Sequence, residues 1–289
     1  LISVNKNVNK TNKIGIKKIG FYFIELILII WAIVQLYPLL WLFLFSFKNN
    51  NEIFGGNILG LPHIWLWSNY ITALSSGNVG RYFLNSVIVT GFTIIISSVL
   101  ISTSAYAIVR MNWKYSKLVL TIFLTGLMVP IHATLLPLFV VLKNLNILNT
   151  YASLIIPYVA FALPMGIFIL TGFLYSIPKE LEESAFLDGC NIYKAFYYII
   201  LPLIRPALST IAIFTYLSSW NELMFANTFV NNDNIKTLTV GILSLAGEYV
   251  TNWGPIGAGL VIATLPTILI YILLSEQVQK SLIVGAVKG

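Results

Sequence analysis

Six times along this chain, a run of about twenty apolar residues lies between charged or turn-forming residues, and that recurrence limits the available folds more than any other feature. No water reaches a hydrocarbon core to satisfy backbone N–H and C=O groups, so such runs must be helices that close their own hydrogen bonds. At 1.5 Å per residue, about 20 residues cross a core of about 30 Å. The runs are Phe21 to Phe47, Phe83 to Val109, Leu118 to Leu142, Ser153 to Tyr175, Pro206 to Phe225 and Pro255 to Leu274. A content of 58% hydrophobic and 9% charged residues agrees, since soluble domains average about 25% charged. The expected fold is an all-α integral membrane protein with six transmembrane helices.

Several function classes drop out at once. The net charge of +7 does not mark a nucleic-acid binder, because the basic residues lie between the spans and not on one face. One cysteine, Cys190, excludes an internal disulfide, and two distant histidines, His63 and His132, give no metal-ligand spacing.

The basic residues also orient the spans. The N-terminal tail, the second and fourth connections and the C-terminal tail carry thirteen Lys and Arg, while the other connections carry only Lys48, Arg81, Lys143 and Lys236. This asymmetry puts both termini and the fourth connection in the cytoplasm. The divisions that follow are a tail at 1–20, a first helix at 21–47, an extracytoplasmic loop at 48–82, a core at 83–275 and a C-terminal tail at 276–289. The first span is too long for a signal-peptide core and is read as retained. Its lead, "NKNVNKTNK", is expected to be a disordered tail. Prolines at 38, 130, 137, 157, 164 and 266 remove backbone hydrogen bonds and should kink their helices. Membrane helices tolerate proline, which explains Pro38 and Pro266; the pairs in spans three and four fit a bent, moving interior equally well.

The fourth connection gathers Glu180, Glu182, Glu183 and Asp188, four of the ten acidic residues. "PKELEESAFLDG" starts with proline, places glutamates where the helix dipole favours them, and ends at Gly189, which takes a left-handed C-cap without penalty. Asn191 can cap a second helix whose Ile192, Phe196, Ile199 and Leu203 recur at helical spacing. A helical hairpin with surface acids, at 178–202, is either a solvated loop or a docking element; the small pair Ser184 and Ala185 favours docking.

The spacing Glu183-Ser184-Ala185, Gly189, Ile199, Leu201-Pro202 resembles the EAA motif of permease subunits in binding-protein-dependent ABC importers. Serine stands at the second position where alanine is common. Further stretches, "NSVIVT" at Asn85, "SAYAIVRMNWKYSK" at Ser104, the long run from Met128, "WNEL" at Trp220 and "GAVKG" at Gly285, are similar to carbohydrate importers, in particular to the shorter maltose-type permease. The similarity runs from about Phe21 onward. Ser281 departs from a common glycine and leaves the geometry of the C-terminal tail open.

This resemblance implies a type I ABC importer permease architecture, with a peripheral first helix, a kinked core and a cytoplasmic coupling hairpin. The implied function is one half of the translocation pathway for a sugar, with oligosaccharides the implied class. The implied partners are a second permease chain, a cytoplasmic ATPase dimer and an extracytoplasmic solute-binding protein docking on 48–82 and 226–254. No G-x-x-x-x-G-K-[ST] loop occurs, so this chain is expected to be no enzyme and to bind no cofactor, with ATP and magnesium used by the partner ATPase. The implied coupling residues are Glu183, Ser184, Ala185, Asp188, Gly189, Ile199, Leu201 and Pro202, with Gly285, Lys288 and Gly289 reaching the ATPase from the C-terminal tail. Asn221, Glu222 and His132 are candidates for the substrate pathway, because polar groups inside spans are costly and often functional. The alternatives are an ABC importer for another solute and an ion-coupled carrier using Glu25, Glu222 and His132.

Overall fold

The computed structural model describes residues 2–246 and 251–286, with side chains from 21 to 246 and from 251 to 274. In chain order, α1 (Ile2–Phe45) is followed by α2 (Asn50–Phe54), α3 (Ser68–Leu74) and α4 (Val79–Arg110). The lysine-rich lead, expected to be disordered, is drawn into α1, which contains no proline before Pro38 to stop it. The spanning part of α1 is uncovered by the rest of the chain, as a peripheral helix would be. The 48–82 loop is ordered around Lys48, whose buried Nζ donates to the carbonyls of Asn57 and Gly60, 2.6 Å from each.

The third span departs from expectation. It is not one helix over Leu118 to Leu142 but two halves, Ser116–Met128 and Ile131–Asn144, meeting at 95°. The regular parts are α5 (Ser116–Thr125) and α6 (Leu135–Asn144), each running into a short 3₁₀ turn beside the break. Pro130 causes it. Proline disfavours the helical conformation in its predecessor and offers no N–H to Gly126, so Val129 and Pro130 are both extended, with ψ of 115° and 116°. Pro137, in the first turn of α6, costs nothing because its N–H would be unused there. Pro157 and Pro164 lie within α7 (Ala152–Leu174), which continues through both.

The hairpin comprises α8 (Glu180–Leu187), α9 (Ile192–Ala195), a π turn at Phe196–Ile200 and α10 (Leu201–Leu203). Then come α11 (Arg205–Trp220), α12 (Met224–Phe229), α13 (Leu238–Leu243) and α14 (Trp253–Ala286). The fifth span does not reach Phe225. It ends at Trp220, because the Glu222 carboxylate captures the N–H groups of Phe225 and Ala226 and starts α12 instead. Its other end also bends, by 72° between Ile192–Leu203 and Arg205–Trp220. The C-terminal segment expected as a tail from 276 continues α14 to Ala286.

Helices α4, α7 and α11 form the centre. Gly166 lets α7 approach α4 closely, since a Cβ there would stand 2.2 Å from Ile101 Cδ1. Around this crossing, Ile101, Tyr106, Ile167, Leu170, Leu174, Ile200, Ile204 and Ile211 form a continuous apolar core at the hairpin end. At the other end Asn85 holds the 231–237 loop against α4, donating to the carbonyls of Asn234 and Lys236 and accepting from the Tyr151 hydroxyl.

Candidate functional site: the motif helix and its anchor

Helix α8 begins beside Pro178 with all three glutamates in its first turn, where the N–H groups lacking helical partners favour negative charge. The turn that ends it follows from Gly189, whose φ of 83° few other residues adopt without strain. Cys190 N–H bonds to Ala185 O at 2.9 Å and Gly189 N–H to Phe186 O at 3.1 Å, the paired closure of a Schellman cap. Asn191 then caps α9, its side-chain oxygen accepting from Lys194 N–H at 2.9 Å. Downstream, Pro202 offers no N–H to Tyr198, and Leu201 N–H reaches back five residues to Phe196 O, which makes the π turn.

The two faces of α8 differ. Glu182 and Ala185 are buried, while Glu180, Glu183, Ser184 and Asp188 are uncovered. The acid cluster expected on the surface therefore splits, and Glu182 leaves it. Outward with the remaining acids stand apolar side chains, Leu187 at 90% exposure together with Leu181 and Phe186. Tyr193, Tyr197 and Tyr198 of the second arm are also exposed. Of the later motif residues, Ile199 and Leu201 are half-buried and Pro202 is exposed. An outward face with three acids and bare leucine and phenylalanine is suited to a partner that offers both basic groups and an apolar cleft.

Glu182 points into the bundle and is held there. Its Oε2 lies 2.8 Å from Arg110 Nε, with both side chains 6% exposed, and its Oε1 accepts from the Tyr106 hydroxyl at 2.8 Å. The Arg110 Nε–H is not aligned with Oε2, so the contact is an ion pair without a linear hydrogen bond. A terminal nitrogen of the same guanidinium donates to the carbonyls of Ile177 at 2.8 Å and Leu174 at 3.2 Å. One arginine at the end of α4 thus joins the motif helix to the C-terminal end of α7.

From the middle of the bundle towards its other end, α7, α11 and the broken third span line a partly open cavity of about 270 Å³. Its walls are mainly apolar, with Phe161, Met165 and Phe214 beside the hydroxyls of Tyr158, Thr215, Ser218 and Ser219 and the Glu222 carboxylate. Tyr158 donates to Glu222 Oε2 at 2.6 Å. Of the three candidate pathway residues, only Glu222 is on this wall. Asn221 is exposed and bonds back to Leu217 O at 2.9 Å, and His132 is exposed on the turn after Pro130. Gly285 lies in the last turn of α14; Lys288 and Gly289 fall outside the described residues.

Residues 97–284 match the family described as the binding-protein-dependent transport system inner membrane component. A probable ABC transporter permease protein of Bacillus subtilis, YurM, is 36% identical over 94% of this chain and 90% of its own length. The chain belongs to this family. Among other similar members of this transport-component family, the diacetylchitobiose uptake permease NgcG of Streptomyces coelicolor is 34% identical over 90% of this chain and 86% of that protein. The trehalose/maltose permease MalG of Thermococcus litoralis is 32% identical over 90% and 94%. In fold, the chain is similar to a bacterial ABC transporter involved in import of the acidic polysaccharide alginate, with a TM-score of 0.79 at 22% identity, covering 90% of this chain and 96% of that one.

The binding-protein-dependent component match spans the hairpin, its anchor and the cavity but leaves α1 outside. Sequence reasoning missed Arg110, Tyr106 and Tyr158. Arg110 reads as an ordinary cytoplasmic cation, although a tyrosine one turn earlier and no nearby acid were available signals that its partner lies elsewhere. For Tyr158 nothing in the linear pattern gives it away.

Proposed function

We propose that this chain is a permease subunit of an ATP-driven, binding-protein-dependent sugar importer, moved through α8 by a cytoplasmic ATPase dimer. The observation carrying the reading is the two-faced motif helix, whose inward face is bolted to the bundle and whose outward acidic and apolar face is uncovered. The thirteen-to-four distribution of basic residues supports placing that face and both termini in the cytoplasm. A sugar substrate is supported by the relatives named for diacetylchitobiose and for trehalose and maltose. The cavity, with aromatic walls and hydroxyls, suits a polyhydroxylated ligand and forms this subunit's share of the pathway, with Glu222 on its wall. Glu183, Ser184, Asp188 and Gly189 present α8 to the ATPase, Ala185 permits close approach, and Ile199, Leu201 and Pro202 shape the return arm. Gly285, Lys288 and Gly289 belong to the segment that contacts the same partner.

The remaining pathway and the uncovered face of α1 call for a second permease chain, and a solute-binding protein delivers sugar to the opposite side. ATP and magnesium act in the partner ATPase. Glu183→Lys or Gly189→Val tests the reading: membrane insertion remains, and sugar uptake by cells carrying the full importer is lost. Normal uptake by both variants, or uptake that survives loss of the ATPase and collapses with a protonophore, contradicts it.

A further inference from the structure

How a push on α8 reaches the membrane helices is decided by what α8 is attached to. Its covalent continuation is poorly built for force. After Gly189 and the short α9 come a π turn at Phe196–Ile200 and a 72° bend before α11. Insertions of this kind interrupt the helical hydrogen-bond ladder and mark places where helices flex. Where the second arm meets Tyr106 it does so through the Phe196 ring, at 4.9 Å between centroids and 50° between planes, a contact without direction that can slide.

The lateral attachment is different in kind. Glu182 is fixed by the Arg110 guanidinium and the Tyr106 hydroxyl of α4, and Arg110 reaches on to the carbonyls of Leu174 and Ile177 where α7 ends. A buried carboxylate left without its cation is strongly disfavoured, so the pair resists separation under load. The hydrogen bond from the Tyr106 hydroxyl to Glu182 Oε1 fixes direction as well as distance, and the donor bonds of one terminal Arg110 nitrogen tie the pair to the end of α7. Beneath it, Ile101, Ile167, Leu170 and Leu174 lock α4 to α7; Ile200, Ile204 and Ile211 pack on the same core, but through apolar contacts, which have no fixed direction.

We infer that Arg110 and Glu182 are the positioning pair that transmits the ATPase stroke: α8 and the adjoining ends of α4 and α7 move as one body, and this body slips against α11 at the Phe196–Ile204 segment. The inference rests on the function proposed above and adds the route of the force. Neither residue touches substrate or nucleotide. Both act through α8.

The test uses the whole importer in lipid, with Cys190→Ser removing the chain's one cysteine and spin-label pairs at exposed positions 187 with 111, and 187 with 217. Pulsed-dipolar distances are read without nucleotide and with the ATPase trapped in its ATP-bound state. Constancy of the 187–111 distance with a change in the 187–217 distance is expected. Equal changes in both, or a change in 187–111 alone, overturn the inference while leaving the proposed function intact; failure of the unlabelled importer to couple ATP hydrolysis to sugar uptake overturns that function itself.

Variants supply a second reading on complexes that purify with all subunits. Glu182→Gln lowers sugar moved per ATP hydrolysed by roughly an order of magnitude, as expected when a buried arginine loses its counter-charge. Arg110→Lys, which keeps the charge and loses the fork, gives an intermediate ratio. A purely structural pair would lower the yield of intact complex and leave that ratio at the wild-type value, which would count against the assignment.

Discussion

The bundle holds a carboxylate towards each end, Glu182 buried and Glu222 half-buried, and the two are satisfied by opposite means. Glu182 meets a guanidinium 72 residues away in sequence and a tyrosine 76 residues away, so its charge ties the motif helix to distant elements. The Glu222 carboxylate meets the N–H groups of Phe225 and Ala226, three and four residues on, together with the more distant Tyr158 hydroxyl. An ion pair between elements carries load; a backbone cap shapes a local turn and, here, one wall of a cavity. Glu182, buried, and Glu222, half-buried, are both paired or hydrogen-bonded, and they differ in what moves when they are broken.

That difference can be broken open by removing one group at each end. Arg110→Ala leaves Glu182 buried without its cation and takes from the Leu174 and Ile177 carbonyls the nitrogen that donates to them. A loss of about 3–5 kcal/mol is expected in unfolding of the detergent-solubilised chain. Glu222→Ala removes a cap whose donors include the N–H of fully buried Phe225, and a smaller loss of about 1–3 kcal/mol is expected in the same measurement. Should the Glu222 variant prove the more destabilising, the roles assigned to the two ends would have to be exchanged.

The positions of the spans were legible in the sequence because apolar length is a one-dimensional property. Their continuity was not. Pro130 and Pro157 look alike as letters, yet the span breaks by 95° beside the first, where Val129 and Pro130 are extended, while α7 continues through the second. The hairpin was legible down to its caps, since Gly189 and Asn191 act on residues within a turn of themselves. Its inward and outward faces were not. Glu182 and Glu183 are adjacent and chemically the same, and only packing against α4 turns the first toward Arg110 and leaves the second outside. The cavity was only half legible for a similar reason: Glu222 stands out as a charge inside a span, whereas its partner Tyr158 lies 64 residues away and belongs to no spacing pattern.

The central claim is that α8 is the surface on which an ATPase acts, and Leu187, at 90% exposure on its last turn, is the place to ask. A photoreactive amino acid at position 187 in the assembled, transporting importer should form its main crosslink with the ATPase subunit. Crosslinks confined to lipid or to the second permease chain, in an importer that still moves sugar, would contradict the account.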